Sequence, residues 1–374
     1  MPKPLTIGVD IRDLRVAKTG TRTYLEEISK AFKQLENDNI KFKFLDVSIP
    51  VYSGNNRLLK MVEHTRFQLW KQVILPLKAF FNGCDIVFCT DNFVPLIHLG
   101  FKTIPVFHDA FFWETPENYG RLWLKLYKKT AVPAAHSSAA VVVPTEYAKK
   151  RIHHYTHIAK EKLIVVYEGP KSLPQNAAGG DELLNLFAIA NKQYILHAGS
   201  MFKRKNIAML IYAFDKLKKS GDYAHLKLVL SGAVPNKHES DYEEIAKAIE
   251  ITGTQKDIVM TGYLCDNDLS LLYKNALLYA FPSINEGFGI PILEAFKSNL
   301  PVLVANNTCL PEVGDDAVIQ FNPFDIDDIY QKIKVVVDDK ELREELIRKG
   351  NLRLQFFSWQ KAALQLIELF KKVA

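Results

Sequence analysis

The sequence predicts a two-domain α/β protein, and three observations carry that prediction. The chain has 374 residues, more than one ordinary domain holds. Short apolar runs suited to buried parallel strands recur along it, separated by stretches whose apolar residues have helical spacing. One junction is especially plain: Leu277–Phe281 reads as a buried strand, ended by Pro282 and Ser283. Gly287 and Gly289 then allow a tight path, and Pro291 suits the first position of a helix.

Composition narrows the function classes. Hydrophobic residues make up 48% and charged residues 24%, which excludes a disordered chain. The net charge of +6, with pI near 8.8, suits anionic ligands or an anionic membrane face and is too interspersed for nucleic acid. Cys84, Cys89, Cys265 and Cys309 have neither zinc-like nor redox spacing and read as reduced, mostly buried thiols. No stretch around Met1–Asp10 is apolar enough for a signal peptide, and no run reaches the roughly 18 apolar residues of a membrane span. The expected location is cytoplasmic, either soluble or peripheral on the inner membrane face.

In chain order, Leu5–Val9 reads as a first strand ending at Asp10. Lys18–Arg22 reads as a polar turn, leading to a helix whose core stripe is Tyr24, Leu25, Ile28, Ala31, Phe32 and Leu35. Gly20 belongs to no GxGxxG fingerprint, so dinucleotide binding gains nothing there. Residues 56–81 interleave basic and apolar side chains, which fits either a lipid-facing surface or a helix with one side in the core. Core packing is the preferred reading, and exposure or burial of Phe67 and Trp70 decides it. Ile86–Thr90 and Thr103–Phe107 read as strands. The second runs into His108 and Asp109, at the strand end where α/β proteins place ligand-contacting groups. Ala139–Pro144 is a further strand, with Thr145 capping the next helix, and Ile164–Gly169 closes the domain. Pro170–Asp181 has the composition of a linker.

Tyr194–Ala198 restarts the pattern, and Lys203, Arg204 and Lys205 concentrate charge at its strand-to-helix junction, where a diphosphate could bind. An exposed basic turn is the competing reading. Lys227–Gly232 and Ile258–Tyr263 are two more strand-to-loop junctions. In the stretch Asn285–Ala295, helix-start amides make an anion seat, flanked by Glu286 and Glu294 with seven residues between them. Carboxylates accept paired hydroxyls of the kind a sugar or ribose offers, so the spacing suggests a nucleotide-sugar. A helix with an acidic first turn is the bland alternative. Asp325–Val337 and Lys340–Phe356 read as helices, followed by a last one carrying Leu364, Leu366, Ile367, Leu369 and Phe370.

The run Phe281-Pro-Ser-Ile-Asn-Glu-Gly-Phe-Gly-Ile-Pro-Ile-Leu-Glu-Ala295, with Leu300-Pro-Val-Leu-Val-Ala305 and Leu310-Pro-Glu-Val313, closely resembles the signature of glycosyltransferase family 4. That resemblance implies GT-B architecture: two Rossmann-like domains facing across a cleft. It places an acceptor-binding domain at 1–170 and a nucleotide-sugar domain at 182–356. Residues 357–374, opening on Phe357-Ser-Trp359, would form a helix that crosses back onto the first domain. By the same resemblance Gly20 and Thr21, of a Gly-Thr-x-x-Tyr region, and His108 and Asp109, followed by Pro116 and Glu117, lie near donor sugar and acceptor. Arg204 and Lys205 would bind the donor diphosphate, although Ser200 stands where many members have Arg. Gly262, Tyr263 and Leu264 would border the nucleobase, and Gly287, Phe288, Gly289 and Ile290 the donor. Glu286 would take the sugar hydroxyls and Glu294 the ribose.

The resemblance thus implies a retaining glycosyltransferase, moving a sugar from a GDP- or UDP-sugar to a glycan or lipid-linked acceptor in bacterial surface polysaccharide synthesis. In a front-face reaction the leaving diphosphate helps take the acceptor proton. If a covalent intermediate forms instead, Glu286 is the nucleophile. With no Asp-x-Asp pair or metal cluster at the proposed site, metal independence is expected and no cofactor beyond the nucleotide-sugar. The rivals are a GT-B sugar-nucleotide epimerase, a phosphorylase (for which no pyridoxal-phosphate lysine is identifiable), a catalytically silent nucleotide-sugar-binding module and a membrane-docking scaffold. Base, sugar, acceptor, linkage and oligomeric state are not written in the sequence.

Overall fold

The apolar runs become strands because each is short, β-branched or aromatic, and flanked by residues that stop it. The computed structural model describes residues 3–374, apart from 18–19, 48–49, 53, 55, 175–179 and 234–239. The chain divides into two units, one of Met1–Glu168 with Ser358–Ala374 and one of Gly169–Phe357.

In the first unit, β1 (Leu5–Asp10), β2 (Ile40–Leu45), β3 (Ile86–Cys89) and β4 (Lys102–Pro105) form a parallel sheet in the order β2-β1-β3-β4. β5 (Val141–Val143) and β6 (Leu163–Val165) pair beside it, joined to the sheet by the bridge of Val106 to Val142. The edge strand β2 escaped the sequence reading because Lys41 and Lys43 interrupt its apolar residues, and only a continuous run signals a buried strand.

One expectation changes, and one open choice is decided. The segment read as a turn before the first helix is helix from Gly20 onward, Gly20–Leu35, with Arg22 paired to Glu26 one turn on at 2.7 Å. Lys18 and Thr19 of that turn lie outside the described residues. Residues 56–81 form helix Arg57–Leu69, a π-turn Trp70–Ile74 and helix Leu75–Phe81, the whole begun by Asn56, which accepts from the amides of Leu58 and Leu59. Trp70 is buried, and its indole N–H donates to both carboxylate oxygens of Asp10 at 3.1 Å. Phe67 is half-buried, edge-on to Phe93 at 5.2 Å. Both rings thus turn inward, while Leu58, Met61, Val62, Leu69, Phe80 and Phe81 of the same segment stay exposed.

In the second unit, β7 (Tyr194–Ala198), β8 (Lys227–Ser231), β9 (Ile258–Gly262), β10 (Leu278–Phe281), β11 (Val302–Ala305) and β12 (Val318–Phe321) form one parallel sheet ordered β12-β11-β10-β7-β8-β9. Of the linker segment, 175–179 lies outside the described residues, and helix Gly180–Leu186 follows. Asp325 and Asp339 cap the helices Ile326–Asp338 and Lys340–Leu354.

Ser358 caps the closing helix Trp359–Val373, which lies in the first unit. Trp359 meets Tyr24 edge-on at 5.3 Å, and Phe370 packs against Phe32 and Phe88. No helix among the described residues is long and apolar enough to cross a membrane.

Glycine is obligatory at one strand end. Gly232 has φ +143°, and a Cβ there would lie 1.8 Å from the carbonyl oxygen of Gly199. Gly20, by contrast, has open space around it. Gly232→Ala is therefore expected to destabilise by about 2 kcal/mol or more, and Gly20→Ala to stay within about 0.5 kcal/mol of wild type, both read by urea denaturation.

Candidate active site

In the second unit the chemistry gathers where β7 and β10 end. Phe202 leads into a 3-10 turn Lys203–Lys205, and Asn206, in the left-handed conformation at φ 56°, starts the helix Ile207–Lys219. That turn places two cations against one carboxylate. Glu286, buried, accepts from Arg204 Nη1 at 3.1 Å, from Ser283 Oγ at 2.6 Å and from Lys205 Nζ. Burial alone would raise the Glu286 carboxyl, but Lys205 and Arg204 outweigh it and hold the group below its ordinary value. Lys205 is buried, its ammonium over the Phe281 ring, whereas Arg204 is part-exposed. Lys205 therefore anchors Glu286, and Arg204 is the cation that solvent, and so an anion, can reach.

The loop itself is pinned from behind. The Ile284 amide and the Ser283 hydroxyl both donate to the Arg204 carbonyl, at 2.8 and 3.0 Å. Buried Cys309 donates its thiol to the carbonyls of Glu286 and Phe288, at 3.3 and 3.2 Å. Gly289, at φ +100°, begins the helix Ile290–Lys297, where a Cβ would press on Leu310 at 3.1 Å. Glu294 is buried on that helix and accepts from Tyr273 at 2.9 Å, and burial raises its carboxyl. Gly262 ends β9 with its carbonyl accepting from the Gly232 amide at 2.9 Å, next to exposed Tyr263 and half-buried Leu264.

Of the predicted residues, the structure brings Arg204, Lys205 and Glu286 into direct contact, with Gly287, Phe288, Gly289 and Ile290 on the same loop and helix start. Ser283, Cys309 and Tyr273 were missed. A serine three residues before a glutamate is commonplace, and the cysteine and tyrosine come from elements distant in sequence.

The first unit holds Gly20, Thr21, His108 and Asp109. Gly20 and Thr21 open the first helix. Asp109 accepts from the Phe111 amide at 3.0 Å. His108 Nε2 faces the Thr90 carbonyl at 2.8 Å, and Nδ1 faces buried Glu168 at 3.5 Å. Both neighbours are acceptors, which favours the protonated ring. Burial would lower its pKa, but Glu168 and Thr90 together raise it above 6.5. Glu168, the partner that favours this state, was not singled out by the sequence.

Among the described residues one group of potential metal ligands converges, Asp10, Cys89 and Asp91. Lys71, fully buried, fills it: its ammonium lies 2.6 Å from Asp10 and 2.5 Å from Asp91. Burial would lower the amine, but the two carboxylates raise it well above its ordinary value, so the cluster carries its own cation.

Residues 185–353 match the family described as glycosyl transferases group 1. The chain is 27% identical over 311 residues to O-antigen chain mannosyltransferase B of Escherichia coli, covering 82% of this chain and 78% of that one. It is 25% identical over 360 residues to the serotype-specific mannosyltransferase WbdA of Escherichia coli, covering 93% of this chain but 43% of that one, so it spans less than half of WbdA's length. Its fold resembles sucrose-phosphate synthase from Thermosynechococcus elongatus, with TM-score 0.76 and 16% identity, covering 99% of each chain.

Two outcomes are expected. Glu286→Gln leaves buried Lys205 without its counter-charge and should cost about 3–5 kcal/mol in urea denaturation. For His108, whose folded pKa lies above 6.5, the stabilisation is full below that value and is lost as pH rises through the folded pKa. The melting-temperature gap between wild type and His108→Gln should then be widest in acid and close on the alkaline side.

Proposed function

We propose, for a chain whose residues 185–353 match the group 1 glycosyltransferases and whose fold is GT-B, that its second unit binds a nucleotide-sugar and that the sugar passes, with retention, to a glycan or lipid-linked acceptor in bacterial surface polysaccharide synthesis. The carrying observation is the carboxylate of Glu286 held by Arg204 and Lys205 beside the start of helix Ile290–Lys297. One carboxylate against two cations leaves net positive charge where Arg204 reaches solvent, and a helix start adds its dipole, so a diphosphate is attracted there. The similarity to O-antigen mannosyltransferases supports the surface-polysaccharide setting.

In this reading, Arg204 and the helix start stabilise the departing diphosphate, which helps accept the acceptor proton. Lys205 and Ser283 orient Glu286 toward the sugar hydroxyls, and Glu294, set by Tyr273, takes the ribose diol. Gly262, Tyr263 and Leu264 border the base. His108 is assigned to the donor sugar or acceptor. We assign no metal to the reaction, since the cations and dipole supply the neutralisation. Trp70 and Phe67 turn inward, so peripheral contact with anionic lipid on the first unit would rest instead on the exposed apolar side chains Leu58, Met61, Val62, Phe80 and Phe81.

The test is a thermal-shift panel of GDP, UDP, dTDP and ADP with their hexose conjugates, followed by transfer assays in EDTA and NMR of the product anomer. One base class should raise the melting temperature, by about 2.7 kcal/mol of stabilisation at 100 times Kd. Arg204→Ala should lose most of that response, and transfer should persist in EDTA with the donor's anomeric configuration kept. No response to any nucleotide, or a strict metal requirement, sinks the site assignment. For the lipid contact, co-sedimentation with vesicles containing phosphatidylglycerol should fall several-fold in Phe80→Ser/Phe81→Ser. Equal sedimentation of wild type and variant removes that surface from consideration.

A further inference from the structure

The segment 306–309, which follows β11, packs against the loop that carries Glu286 and holds it by its backbone. Three carbonyls are caught, and they belong to alternate residues. Asn307 Nδ2 donates to the carbonyl of Ile284 at 3.3 Å, and the Cys309 thiol donates to those of Glu286 at 3.3 Å and Phe288 at 3.2 Å. Burial, with Glu286 and Glu312 nearby, pushes the Cys309 thiol well above its ordinary range. It therefore keeps the proton that it shares between the two carbonyls.

The chain takes a costly path to place that thiol. Thr308 has φ 56°, in the left-handed region, and of the seven described non-glycine residues with positive φ it alone is β-branched. Such a side chain is crowded in that conformation, which persists only where the surroundings over-determine it. Here the constraint lies on both sides, because Asn307 and Cys309, before and after Thr308, are the residues that hold the carbonyls. Packing alone would be served at 309 by any small apolar residue. Holding a carbonyl needs a donor.

A peptide unit is planar and trans, so a carbonyl held on one side sends the next amide to the other. Drawing the carbonyls of Glu286 and Phe288 toward Cys309 thus turns the N–H groups of Gly287 and Gly289 away from it. Gly287 is half-buried, within reach of a ligand, and Gly289 begins the helix Ile290–Lys297. Neither residue has a side chain to stand between its amide and what approaches.

We propose that Cys309 is a positioning residue for the donor: through the carbonyls of Glu286 and Phe288 it aims the amides of Gly287 and Gly289 at hydroxyl or phosphoryl oxygens of the nucleotide-sugar. The donor itself rests on the glycosyltransferase reading, whereas the aiming rests on the backbone geometry. Cys309 is buried and acts through the loop, without touching the substrate. What position 309 must supply is a hydrogen-bond donor, so serine replaces cysteine there and alanine does not.

The test combines nucleotide affinity with glycine NMR on the full chain, for wild type, Cys309→Ser and Cys309→Ala. Urea midpoints establish that both variants are folded under the conditions used. Melting-temperature titrations with GDP, UDP, dTDP and ADP select the tightest nucleoside diphosphate and give its Kd. Cys309→Ala should bind it about tenfold more weakly, and Cys309→Ser within about threefold of wild type. Labelling with 15N-glycine and 13C-carbonyl phenylalanine reports Gly289 singly, since Phe288-Gly289 is the one Phe-Gly step in the sequence. Its amide should move on nucleotide binding in wild type and Cys309→Ser, and should already be displaced without nucleotide in Cys309→Ala. A residue needed only for packing would lower the urea midpoint of both variants and leave Kd and the Gly289 resonance as in wild type. That result, or equal weakening in both variants, overturns the inference. If no nucleoside diphosphate raises the melting temperature of wild type, the donor reading falls and the aiming loses its target. If one does, and Cys309→Ala binds it as wild type, the inference about Cys309 falls alone.

Discussion

A buried carboxylate can survive only if something replaces its lost water, and in the second unit the replacement for Glu286 is also what ties the sheet's loops together. Arg204 and Lys205 arrive from the end of β7 and Ser283 from the end of β10, adjacent strands in the sheet. The backbone repeats the link, since the Arg204 carbonyl accepts from Ile284 and Ser283. Cys309 secures the same loop from the element that follows β11. The cluster thus takes its shape from parallel topology, which brings the carboxyl ends of strands together at one edge of the sheet.

The first unit solves a similar problem with the signs rearranged. There the buried cation is Lys71, held between Asp10 at the end of β1 and Asp91 just beyond β3. Trp70, next in sequence, donates to the same Asp10. Each unit therefore buries a lysine against carboxylates where neighbouring parallel strands stop. In one case the assembly borders the start of helix Ile290–Lys297, in the other an aromatic-walled cavity. His108 is fixed in like manner by Glu168, from the end of the first unit's chain run.

The fold was largely legible because parallel strands in an α/β sheet are apolar throughout, and such runs as Tyr194–Ala198 and Leu278–Phe281 have no other good reading. What failed did so for the converse reason. β2 alternates lysine with apolar residues, and the start of the first helix carries glycine and threonine, which favour turns until tertiary context and the Arg22–Glu26 pair decide otherwise. Within the site, Arg204, Lys205 and Glu286 stand in motifs and could be picked out. Ser283, Cys309, Tyr273, Lys71 and Glu168 could not, because their contribution lies in meeting a residue that is remote in sequence. Partnerships across strands leave no local pattern.

The π-turn at Trp70–Ile74 has a consequence for how the long helix of residues 57–81 reads two neighbours at once. A wider turn accommodates one residue more than an α-helical turn does, which shifts the phase of everything after it by about 100°. Before the turn the inward side presents Phe67 to the aromatic wall, and after it Leu75 and Ala79 to the apolar core with Cys84 and Val87. Lys71 and Trp70 occupy the turn itself, so the residues that reach Asp10 are the ones on which the two phases hinge. Removing a single residue there would leave either half free to pack as now, but never both, and the ion pair would have to choose between them.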